Sequence, residues 1–259
     1  MALWTPEHAK TLPPAIAVML IIAIILRQIL GDKPIKTRMI PFQVLAVIAF
    51  LLEVGKQVIS FCRGYDLYHI PLHVCSVFIF MLPLMAFCGE KHKQGISAIT
   101  AAFCTSVFML MSIYPNLIYG DGSVRQFFTE FMSFHTVAFH NIVLFELILI
   151  LFLRLYTPDK SRDPRSVIIF SVCFCIVSAS MAQILKTNYA NFYSCNIPVF
   201  ENIRIAMQGL IGTVFTQIIY VLIVSALTIS FVLGCFWLYY GLNKALNRPR
   251  TISSDNSQA

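Results

Sequence analysis

Two residue types in this chain can do covalent chemistry inside an apolar environment: the thiol of Cys75 and the imidazoles of His73, His135 and His140. Cys75 closes the segment Ile70-Pro71-Leu72-His73-Val74-Cys75, at the head of an apolar run long enough to cross a membrane. Polar groups are costly in hydrocarbon, so their first reading there is functional. A thiol about one turn inside a helix N-terminus lies at the positive end of the macrodipole, which favours the thiolate. Paired with an imidazole, it has the makings of a nucleophile. The competing reading is an inert packing residue, the common fate of a lone buried Cys. What shares its depth decides between the two.

The elements that must position these groups are membrane spans. The chain has 259 residues, 58% of them hydrophobic and only 12% charged. Its mean hydropathy is +0.77. That balance, with repeated apolar runs near 20 residues, implies an all-α polytopic membrane protein. Seven spans are expected, over residues 14–30, 39–60, 70–88, 96–115, 127–155, 166–185 and 210–240. Gly31-Asp32-Lys33-Pro34, Gly64, Gly89, Gly120-Asp121-Gly122, Pro158 and Pro164 punctuate them. The last run exceeds one straight crossing, so its first turns are expected to lie along the interface. Residues 1–246 form one transmembrane domain, and the polar tail 247–259 is expected to be disordered and cytoplasmic. There is no Gly-rich phosphate loop, no CxxC pair, no internal repeat and no sign of a cleavable signal peptide. No cofactor is implied.

Positive charge sets the expected orientation. Arg27, Lys33, Lys36, Arg38, Lys91, Lys93, Arg154, Lys160, Arg162, Arg165, Lys244, Arg248 and Arg250 fall on one side. Lys10, Arg63, Arg125, Lys186 and Arg204 fall on the other. The richer side is read as cytoplasmic, with the N-terminus outside and the C-terminus inside. The net charge of +7 is thereby a topology signal rather than a nucleic-acid footprint. Glu53, Lys56, Gln57, His73, Cys75 and His135 then share the outer half of the membrane, with His140-Asn141 near its middle. Gln183, Asn188-Tyr189, Gln208 and Gln217 join them at the outer ends of the last spans, and Glu146 is the main inner exception.

Spacing refines the set. Glu53 and Lys56, three apart on a helix, can neutralise each other or orient a substrate headgroup. His69 and His73, four apart, have a metal-ligand spacing but no third ligand, so no metal is assigned. On a helix His73 sits about 200° from Cys75 and points elsewhere. His135 and His140 are about 140° apart, so only one is expected to face the thiol. Cys62 and Cys195 both fall in outer loops, where an oxidising environment would permit a bridge. The aromatic loop from Asn188 to Phe200 reads as an interfacial belt or as a lid.

Pro71-Leu72-His73-Val74-Cys75, the Glu53/Lys56 pair, Phe139-His140-Asn141 and Asn188-Tyr189 together resemble the YwaF-like integral membrane proteins. That family is similar to eukaryotic transmembrane protein 164 and, more distantly, to the androgen-induced membrane hydrolases. The resemblance runs from about His8 to the last span and lies in the order and spacing of short motifs. It implies intramembrane lipid acyl transfer or hydrolysis, with Cys75 as nucleophile and His140, or alternatively His135, as base. Membrane lipids are the expected substrate. Glu53, Lys56 and His73, with Asn188 and Tyr189, are candidate substrate contacts. The contrasting reading is a non-enzymatic transporter or lipid-binding protein built on the same polar cavity. The setting is a multi-pass membrane location, bacterial plasma membrane or eukaryotic endomembrane. Nothing in the sequence sets the oligomeric state.

Overall fold

In hydrocarbon the backbone has no partner but itself, so long apolar runs become helices. The computed structural model describes residues 3–120 and 122–247, and among them there are helices and turns but no strand. In chain order the α-helices are α1 (Pro6–Leu30), α2 (Ile35–Cys62), α3 (Phe78–Phe87), α4 (Glu90–Ile113), α5 (Pro115–Tyr119), α6 (Phe131–Phe152), α7 (Asp163–Leu185), α8 (Pro198–Ile211) and α9 (Thr213–Leu246). Six of these, α1, α2, α4, α6, α7 and α9, are long and apolar enough to span a membrane. The chain is thus an integral multi-pass protein.

The expected third span is the element that differs most. Residues 70–73 are irregular, Val74–Val77 is a 3-10 turn, and the α-helix begins only at Phe78. The apolar stretch Val74–Phe87 is about 21 Å long at ~1.5 Å per residue, short of a ~30 Å hydrocarbon core. Irregular backbone at such depth needs partners inside the protein. It has them: Gln57 Nε2 donates to the His69 carbonyl at 2.8 Å, Ser178 Oγ to the Leu72 carbonyl at 3.1 Å, and the Tyr189 hydroxyl to the Leu67 carbonyl at 2.5 Å.

Other boundaries move for local reasons. Helix α1 begins eight residues before the expected span. Thr5 and His8 cap it reciprocally, and Pro6 sits in the first turn, where its missing N–H is not needed. The last apolar run is divided at Gly212, whose φ of 82° and ψ of 158° suit glycine alone. The amphipathic α8 lies before that break, folded back along α9. Between α7 and α8, Tyr189 and Phe192 are buried against Cys175, Ala179 and Ala182. This part of the aromatic loop is therefore packed into the fold, neither belt nor lid. Cys62 and Cys195 are both free thiols, so the bridge that their loops would allow is not formed. Asn247, the expected start of the tail, bonds Arg154 Nε at 2.9 Å; residues 248–259 lie outside the described residues.

Helices α4 and α6 are central, with 67% and 61% of their apolar windows buried; α1, α2 and α9 are peripheral, at 17%, 22% and 11%. Ala98, Ala101 and Ala102 give α4 a small-residue face that neighbours approach closely. Helices α2 and α6 run antiparallel. Arg38, at the start of α2, donates to the Leu153 carbonyl at the end of α6, at 2.7 Å. At the opposite ends, Glu53 of α2 meets His135 of α6. A Cβ at Gly55 would lie 3.2 Å from the Phe131 ring, so glycine lets the two helices close there.

Candidate active site

Where α2 and α6 meet near Glu53, a cavity of about 250 Å³ is bounded by four parts of the chain. Helix α2 contributes Glu53 and Lys56. The irregular segment contributes Tyr68, His69, His73 and Cys75. Leu117 and Ile118 of α5 form an apolar wall, and α6 adds His135, Thr136 and His140. Among the candidate site residues, Glu53, Lys56, His73, Cys75, His135 and His140 all line this cavity.

Glu53 is the electrostatic hub. Lys56 Nζ lies 2.7 Å from its Oε1, and Gln57 Nε2 donates to the same oxygen at 2.8 Å. His135 Nε2 lies 3.0 Å from its Oε2. That contact has ion-pair distance but not the alignment of a hydrogen bond. The local pairing expected of Glu53 and Lys56 is present, and both still face the cavity. His135 stacks on Phe139, 5.4 Å between ring centroids, which fixes the ring beside Glu53.

The three cavity histidines that bear on the chemistry differ in what their nitrogens do. His73 Nε2 lies 3.2 Å from the Tyr68 carbonyl, which can only accept, so Nε2 carries the proton. Its Nδ1 accepts from the Ala190 N–H at 3.5 Å. Both nitrogens are occupied. His140 Nδ1 lies 2.6 Å from the Thr136 carbonyl, so that nitrogen is the protonated one. This leaves Nε2 with a bare lone pair, buried and without a hydrogen-bond partner. Edge contacts with Phe139 and Tyr119 hold the ring, and Tyr119 in turn accepts from Asn141 Nδ2 at 3.1 Å. His135 is committed to Glu53. His135 Nε2 also lacks an aligned hydrogen bond but lies against Glu53, whereas His140 Nε2 has neither a hydrogen-bond partner nor an ion-pair contact and can take a proton.

Three sequence expectations fail on local geometry. His73 and Cys75 do not point apart. His73 has ψ 156° and is extended, so 100° per residue does not apply to the step between them. Cys75 also lies in a 3-10 turn, ahead of the α-helix rather than one turn inside it. Asn188 and Tyr189 do not line the cavity. Asn188 organises its own turn by accepting from the Tyr193 and Ser194 N–H groups, and the buried Tyr189 packs edge-on against His73 at 5.5 Å. His69 is tied by Nδ1 to Ser60 Oγ at 2.6 Å. Among the described residues no group of three His, Cys, Asp or Glu is gathered for a metal. Glu146 is buried elsewhere, and neither of its carboxyl oxygens has a hydrogen-bond partner.

Sequence reasoning overlooked Thr136 and Tyr68. The signal for Thr136 was the i, i+4 spacing to His140, the geometry in which a helical side chain meets a carbonyl one turn back. Tyr68 had no signal, because it reaches the cavity through a 3-10 turn. A thiol, an imidazole with a free lone pair and a buried ion pair around one cavity are the parts that nucleophilic acyl transfer uses.

A family model described as the TMEM164 family matches residues 3–228. The match supports the resemblance to the transmembrane protein 164 group and carries nothing for the androgen-induced hydrolases. No curated protein and no solved structure matches the chain.

Proposed function

The chain belongs to the TMEM164 family, and from that premise we propose that it is an intramembrane lipid acyltransferase or hydrolase with Cys75 as nucleophile and His140 as base. The observation that carries this reading is that Cys75 and His140, whose Nε2 has no hydrogen-bond partner, line the same cavity.

In the first half-reaction His140 Nε2 takes the Cys75 Sγ proton, and the thiolate adds to the carbonyl carbon of a lipid ester. The tetrahedral intermediate collapses, the ester C–O bond breaks, and the leaving lysolipid oxygen takes the proton back from His140. A thioester on Cys75 remains. In the second half His140 deprotonates a lysolipid hydroxyl or water, which attacks the thioester and returns the thiol. The Thr136 carbonyl holds His140 in the productive tautomer throughout. Glu53, Lys56 and His135 form a charged wall for the lipid headgroup. The positive-inside bias assigns this cavity to the extracytoplasmic half of the membrane.

Protein reconstituted in phosphatidylcholine vesicles with a lysophospholipid acceptor tests the reading. Cys75→Ala is expected to lower transfer and hydrolysis by at least ~10³-fold. Full activity in Cys75→Ala would overturn it. A second reading, a non-enzymatic lipid-binding or transport protein, is favoured by one observation, the buried Glu53–Lys56–His135 cluster. In that case Glu53→Gln abolishes function while Cys75→Ala does not.

A further inference from the structure

Beside the polar cavity lies a second concavity of about 370 Å³, between α8 and α9. Its walls are apolar, with Phe200, Ile203 and Met207 on α8 and Ile219, Ile223 and Leu227 on α9. Along α9 it extends from Thr216 to Thr228, about 18 Å at ~1.5 Å per residue, a length comparable with an extended fatty-acyl chain. No residue of α8 is buried, and Phe200, Ile203 and Ile223 are each more than half exposed.

The polar groups at one end of the groove are already committed. Arg204 contacts both oxygens of Glu201, at 2.5 and 2.9 Å, donates to Gln217 Oε1 at 3.1 Å and sits over the Tyr220 ring. Tyr220 donates to the Asn191 carbonyl at 2.5 Å. With these groups paired, the rest of the groove suits an occupant without hydrogen-bonding groups of its own. Its α9 wall belongs to a peripheral membrane-spanning helix, so hydrocarbon is the medium at hand.

A single turn divides the groove from the polar cavity. Ala190 and Asn191 line the groove, while the Ala190 N–H points to Nδ1 of His73, which lines the cavity. Both residues of the turn have positive φ, 47° and 65°, the tight backbone that makes so thin a wall. From this juxtaposition, and resting on the acyl-transfer reading of the cavity, we infer that the α8–α9 groove is the subsite for a fatty-acyl chain of the lipid substrate, entered from the bilayer.

The test uses full-length protein in phosphatidylcholine vesicles doped with phosphatidylcholine carrying a diazirine on one acyl chain. Cross-links are expected to concentrate in the peptides covering 197–207 and 216–228, in wild type and in Cys75→Ala alike. Ile223→Trp and Ile203→Trp, which fill the groove from opposite walls, should each reduce those cross-links roughly tenfold while leaving labelling of α1 and α2 unchanged. They should also slow turnover of long-chain donors roughly tenfold and spare short-chain ones. Labelling spread evenly over the lipid-facing helices would overturn the inference, as would equal slowing of long and short donors. Failure of the catalytic reading shows elsewhere, as undiminished turnover in Cys75→Ala.

Discussion

The two ends of the α2–α6 pair treat buried polar groups in opposite ways. At the end marked by Arg38 a dense network gathers on Asp163, although Arg38 Nε and, further along α6, the Glu146 carboxyl oxygens have no hydrogen-bond partner. Asp163 Oδ2 accepts from Gln94 at 2.9 Å, from the Tyr156 hydroxyl at 2.5 Å and from the Asp159 N–H at 2.7 Å. Asn243 and Tyr239 donate to the Tyr156 carbonyl, each at 3.3 Å. At the Glu53 end there is a cavity, an irregular backbone and an imidazole nitrogen with no partner. A saturated network holds helices together and has little capacity left for substrate. The unpartnered His140 nitrogen differs from the Glu146 oxygens in belonging to a residue that lines a cavity, where a bound group can reach it. On the proposed function, the Asp163 network serves stability and the cavity end serves chemistry.

That contrast can be broken by exchanging lesions between the ends. The largest effect is expected for His140→Gln, which keeps volume and polarity but removes the base. Turnover should fall about 10²–10⁴-fold with the melting temperature nearly unchanged, read by vesicle assay and thermal unfolding in parallel. Asp163→Ala should do the reverse. Leaving the Tyr156 hydroxyl and the Asp159 N–H unpaired, with Gln94 keeping only the Thr157 carbonyl, is expected to cost about 2–4 kcal/mol of stability, with activity per folded molecule preserved. A catalytic loss in Asp163→Ala that exceeds its loss of folded protein would collapse the distinction. Glu53→Gln tests the charged wall: it releases Lys56 and His135 together, and a rise of roughly tenfold in KM with smaller change in kcat is expected. The smallest effect is expected for Asn188→Ala, which loosens the half-buried turn it organises and removes no residue that lines the cavity. Its KM should stay within about twofold of wild type, since its side chain contacts only its own loop.

Much of the cavity end was legible in the sequence because helices carry their own ruler. Glu53 and Lys56 pair as three-apart residues do, and the order of the polar residues along the spans brought α2, the Cys75 segment and α6 to one level. The ruler failed wherever the backbone left the helix. His73 and Cys75 share the cavity because the chain between them is extended and then 3-10, and no periodicity announces that. The orientation of His140 depends on a carbonyl of its own helix, which sequence spacing permits without requiring. Helix α8 stayed hidden because Glu201, Asn202, Arg204 and Gln208 interrupt its apolar residues, so no spanning run marks it ahead of the span expected from residue 210. Asn188 and Tyr189 looked like site residues because a span boundary was near; their partners are a turn and a distant carbonyl.

The central claim is a covalent intermediate on Cys75, and intact-protein mass spectrometry tests it most directly. Protein given a phosphatidylcholine donor and no acyl acceptor should gain the mass of one acyl group, mapped to the peptide containing Cys75. Neutral hydroxylamine should remove the adduct, and Cys75→Ala should lack it. Turnover without any adduct on that peptide, or with a hydroxylamine-labile adduct elsewhere in the chain, would contradict the account.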